Sequence, residues 1–100
     1  MLFQKFLNLV ARSRLPMNID ILIEAMELDA IDDWEAAHRI VQHWDTPESN
    51  WIHAYLHRKE GDVWNANYWY DRANRVMPST KSLDSEAQEI SEYLESINTE

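Results

Sequence analysis

The sequence predicts an all-α domain of five to six helices arranged as antiparallel hairpins, and three observations predict it. One glycine and three prolines in 100 residues are too few for the turn-dense chemistry of a sandwich or barrel. Ala, Leu, Glu and Ile are abundant, and apolar side chains recur at helical spacing in segment after segment. A short pattern also repeats: Asp32-Asp33-Trp34-Glu35-Ala36 returns as Asp62-Val63-Trp64-Asn65-Ala66, and Pro16, Pro47 and Pro78 are evenly spaced. A chain of this length reads as one domain, residues 1–100, with a thin margin of stability.

The first predicted helix spans about Leu2 to Ser13 and stops before Pro16, with an apolar stripe at Phe3, Phe6, Leu7 and Val10. Gln4, Lys5 and Asn8 interrupt that stripe, so it reads as an amphipathic core helix and not as a signal-peptide core or a membrane span. With Lys5, Arg12 and Arg14 as its only basic residues, it is a poor membrane-surface anchor. Asn18 caps a second segment, IDILIEAMEL, which is apolar around most of its circumference and is therefore expected at the centre of the domain. Asp32 with Glu35 forms a capping-box-like start for a third helix carrying Trp34, Ala37, Ile40, Val41 and Trp44.

Thr46-Pro47 opens the fourth helix, and Gly61, the only glycine, closes it. Asp62 caps the fifth, VWNANYWYDRANRVM, which is expected to run as far as Pro78. After the polar linker STKS, Leu83, Ala87, Ile90, Leu94 and Ile97 define a last helix whose other face is Glu-rich. Such a face suits a terminal capping element. The chain thus divides into repeat-like units at about 18–47 and 48–78 and a capping helix at about 83–97.

In the second unit, Ala54, Gly61-Asp62, Ala66, Tyr70, Ala73 and Pro78 fall at the spacing of the tetratricopeptide motif, so this unit resembles a tetratricopeptide repeat. The resemblance implies right-handed stacking of hairpins around a concave groove. It covers about a third of the chain well. It departs from the motif at Asn50, His53 and His57, where large apolar residues are usual. The longer stretch WIHAYLHRKEGDVWNANYWYDRA, Trp51 to Ala73, is similar to the signature of a family of small uncharacterised proteins. That second resemblance supports the fold and implies no chemistry.

Composition excludes several functions. With no cysteine there is no disulfide, no thiolate catalysis and no Cys-based zinc site. A formal net charge of -9 without a basic stripe disfavours nucleic acid and mildly favours basic partners. No Gly-rich phosphate loop is possible, the serines fall in caps, linkers and the acidic last helix, and capping explains the Asp32-Asp33 pair. A cytoplasmic protein without a membrane partner and without a cofactor is expected.

Two constellations remain. In the repeat register, Trp51, Tyr55, Arg58 and Lys59 face the groove, where two aromatics supply rigid contact area and two cations can clamp a carboxylate. Arg72, with Trp64, Asn65 and Tyr68, flanks the core stripe of the next helix; this flank either binds a partner or receives the last helix. The leading expectation is therefore an interaction module for a peptide, a protein or a second copy of the chain, as a homo-oligomer.

The alternative is a metal- or small-ligand-binding protein, or an enzyme. His53, His57 and Glu60 lie within about 60° of one another on a helix of ~3.6 residues per turn. That spacing suits one metal ion, with His38 from the preceding helix as a third imidazole. Helix periodicity alone turns His53 and His57 towards solvent, whereas the repeat register turns them inward. Buried imidazoles need partners, and Asn50, Tyr70 and Arg58 are the expected ones. His43 reads as a helix C-terminal residue favoured by the dipole.

Overall fold

The computed structural model describes residues 19–98. The helix predicted at Leu2–Ser13 lies outside the described residues, which contain five helices and no strand. They are α1 (Ile19–Ala30), α2 (Trp34–Val41), α3 (Pro47–Glu60), α4 (Val63–Arg72) and α5 (Leu83–Ile97). None is long and apolar enough to cross a membrane.

Local chemistry sets the boundaries. Thr46 caps α3 by accepting from the Ser49 amide, Ser49 Oγ accepts from the Thr46 amide in return, and Pro47 takes the first helical position. Gly61 ends the helix at φ 88, and the Asp62 amide reaches back to the His57 carbonyl at 2.9 Å. The left-handed residue and the reach-back bond together form a Schellman turn.

The same turn closes α1 through Asp32 at φ 65 and α4 through Asn74 at φ 64. Two sequence expectations change as a result. Asp32 terminates α1, and Asp33 is the residue that caps α2, accepting from the Ala36 amide at 3.2 Å. Asn74 halts α4 at Arg72, well short of Pro78, because a left-handed residue cannot continue the helix.

The helices form two hairpins, α1–α2 and α3–α4, with α3 at the centre. Every residue from Ser49 to His57 is buried. The sequence placed α1 there, yet α1 buries only Leu22, Ala25, Met26 and Asp29. The difference is in the neighbours: α3 packs on α1, α2, α4 and α5, whereas α1 packs chiefly on α2 and α5. Leu22, Val41, Ile52, Leu56, Tyr70, Ile90 and Leu94 make up the bulk of the core.

The last helix is not stacked on α4, which it meets through the Tyr70–Glu86 hydrogen bond and not through close backbone packing. It lies instead across α1 and α3, the first helices of the two hairpins, and fills the groove between them. This departs from a continuing array, in which each hairpin rests on the one before.

Candidate metal centre

Burial of α3 on all sides resolves the two readings of its histidines in favour of the inward one. His53 and His57 are buried, 4% and 8% exposed, on the side facing α2. His38 projects from α2 to meet them, its Nε2 lying 3.1 Å from His53 Nε2. One donor nitrogen from each of the three rings lies within 4.8 Å of the others. Adjacent nitrogens around a tetrahedral zinc with bonds of 2.0–2.1 Å sit about 3.3 Å apart, so the His38–His53 pair already has a chelating separation.

Aromatic walls hold the rings. The Trp34 indole stacks on His38 with centroids 4.8 Å apart, and its Nε1 donates to the Leu56 carbonyl at 2.8 Å. Trp69 stacks on His53 at 4.0 Å. His57 Nδ1 lies 2.7 Å from Glu60 Oε2, an arrangement that fixes a ligating ring through its other nitrogen or places a carboxylate beside it. Nδ1 of His53 is buried with no hydrogen-bond partner among the described residues.

The electrostatics keep these donors available. Burial, reinforced by His38 and His57, pushes His53 down to about 3. Burial and His57 also lower His38, against a smaller opposing pull from Glu60 and Glu35. Both rings are therefore neutral at neutral pH, and the 3.1 Å contact between their Nε2 atoms is a hydrogen bond that a cation would replace.

The partners expected for buried imidazoles are engaged elsewhere. Asn50 Nδ2 donates to Asp45 at 2.9 Å, while Tyr70 and Arg58 both donate to Glu86. His43 is exposed and outside the cluster.

The predicted binding surface is corrected by the same observations. Trp51 and Tyr55 are core residues, 3% and 2% exposed. Glu86 of α5 is fully enclosed; its carboxylate accepts from Trp51 Nε1 at 3.0 Å, Tyr70 Oη at 2.6 Å and Arg58 at 2.8 Å. Asp29 of α1, also buried, accepts from Tyr55 Oη and Lys59 Nζ at 2.7 Å each.

Arg58 and Lys59 do clamp carboxylates, but the carboxylates belong to this chain. Sequence reasoning missed Asp29 and Glu86, because an acidic residue on a helix face ordinarily reads as solvated. The one available signal was their setting, each one turn from apolar core positions (Met26 and Ile90).

Arg72 is exposed, pairs with Asp45 at 2.6 Å and lies over the Tyr68 and Trp69 rings. Trp64 does not receive the last helix and is 77% exposed.

No protein-family model, curated protein or solved structure matches this chain.

Proposed function

We infer that this protein binds a divalent transition-metal ion on His38, His53 and His57, with Glu60 beside them. The observation that carries the reading is the convergence of three imidazoles from two helices within 4.8 Å, in a buried, aromatic-walled position. Three imidazole donors favour zinc, copper or nickel, whereas magnesium and calcium prefer oxygen donors.

Calorimetric titration of the metal-free protein with zinc at neutral pH tests this. An equimolar isotherm is expected. His38→Ala should abolish it with little cost to the fold, because His38 is the half-buried member of the set. A flat isotherm for the wild-type protein would overturn the reading.

A second reading, attachment of a protein partner, draws on the outer face of α4, where Trp64 and Tyr68 are 77% and 45% exposed beside Arg72. Exposed aromatics next to an arginine resemble the anchors of interfaces. Cross-linking through a photoreactive residue at Trp64 would recover a partner if this face is used, and only solvent-quenched label if it is not.

A further inference from the structure

The inner histidines are buried, so an ion needs a way in. This inference rests on the metal-binding reading above. We propose that His57, Glu60 and Asp62 form an outer cation site, at the seam between α3 and α4, that loads a divalent transition-metal ion onto the inner histidines.

The turn chemistry assembles this site. α3 ends at Glu60, Gly61 turns the chain in the left-handed region, and Asp62 begins α4. The bond from the Asp62 amide to the His57 carbonyl folds the turn back onto the last turn of α3. Donor atoms of His57, Glu60 and Asp62 consequently lie within 4.8 Å of one another.

His57 belongs to both groups. It joins a buried set of imidazoles to a pair of carboxylates at the surface, Glu60 exposed and Asp62 half-buried. His53, 4% exposed and with its ring stacked on that of His57 at 5.0 Å, belongs to the inner set.

Charge argues in the same direction. An imidazole ligand brings no negative charge, so a dication held by the inner set alone carries uncompensated charge in a poorly solvated place. Glu60 and Asp62 supply two negative charges at the entrance. Asp62 already accepts from the Asn65 amide and side chain, at 3.2 and 2.8 Å, and Glu60 from His57 at 2.7 Å. A carboxylate has about four acceptor positions, so both keep capacity for a cation. Lys59, the adjacent cation, is turned away towards Asp29 and Asp32.

The test is stopped-flow mixing of the full chain with cobalt(II), following Trp fluorescence, since Trp34 and Trp69 stack on inner histidines. The variant is Glu60→Gln with Asp62→Asn, in which asparagine preserves the helix cap and glutamine can still hydrogen-bond His57. The expected result is an association rate lower by about tenfold or more, with weaker salt dependence.

Glu24→Gln with Glu27→Gln, which removes two exposed carboxylates from α1, should leave the rate as in wild type. Equal rates for wild type and the Glu60/Asp62 variant would overturn the loading role. So would equal slowing in the Glu24/Glu27 control. Wild-type protein that binds no cobalt at all would instead overturn the metal-binding reading, and this inference with it.

Discussion

His53 combines deep burial, an aromatic stack and a depressed pKa, and those properties tie the stability of the domain to pH. In the folded chain it protonates at about 3, against an ordinary value of 6.5. Between those values the unfolded chain binds more protons, so stability is full above pH ~6.5 and falls as pH drops towards 3. The slope is up to about 1.4 kcal/mol per pH unit, or about 2 kcal/mol lost by pH 5. Urea denaturation of chelator-treated protein at pH 7 and pH 5 should show that loss. His53→Gln should flatten it, because glutamine does not titrate. The lowered His38 acts in the same direction.

At the level of the helices, termini and anchors have separable costs. Gly61 sits at φ 88 with open space where a side chain would be, so Gly61→Ala meets backbone strain and no clash. A destabilisation of about 1–2 kcal/mol is expected, measured by thermal unfolding. Asn74→Gly, at φ 64, should cost nothing, because glycine takes the left-handed position more readily than asparagine.

The anchor of α5 is a larger matter. Glu86 receives three donors from α3 and α4 and contributes the polar contacts that seat α5 in the groove. Glu86→Ala leaves Arg58, with a side chain only 17% exposed, facing no carboxylate there. A loss of about 3–5 kcal/mol is expected, a large part of the stability of a domain this size. A thermal midpoint within a degree or two of wild type would contradict the anchoring role.

Taking the molecule as a whole, the histidine cluster joins the two hairpins, since His38 lies on α2 and His53 and His57 on α3. A bound ion therefore fastens the α1–α2 hairpin to the α3–α4 hairpin. Zinc at one hundred times its dissociation constant should add about 2.7 kcal/mol to the unfolding free energy. Scanning calorimetry should show the midpoint rise with zinc in wild type and stay fixed in His38→Ala.

How far these features could be read in advance depended on their range along the chain. The caps at Thr46 and Asp62 and the stop at Gly61 were legible because each is set by residues within four positions. The early end of α4 was not: Asn74 in the left-handed region was masked by Val76 and Met77, which continue an apolar pattern. His53, His57 and Glu60 could be picked out as a candidate set from spacing on one helix, with His38 added as a guess at its approach.

What the sequence by itself determined is the helical class, the starts at Thr46 and Asp62 with the stop at Gly61, and the identity of the metal-ligand candidates, because backbone capping and helical periodicity act locally. Only the tertiary structure decided that α3 is central, that α5 lies between α1 and α3, and that Asp29 and Glu86 are buried. Those outcomes turn on how whole helix faces fit one another. A glutamate with apolar residues one and two turns on reads the same whether it meets water or meets Trp51, Arg58 and Tyr70.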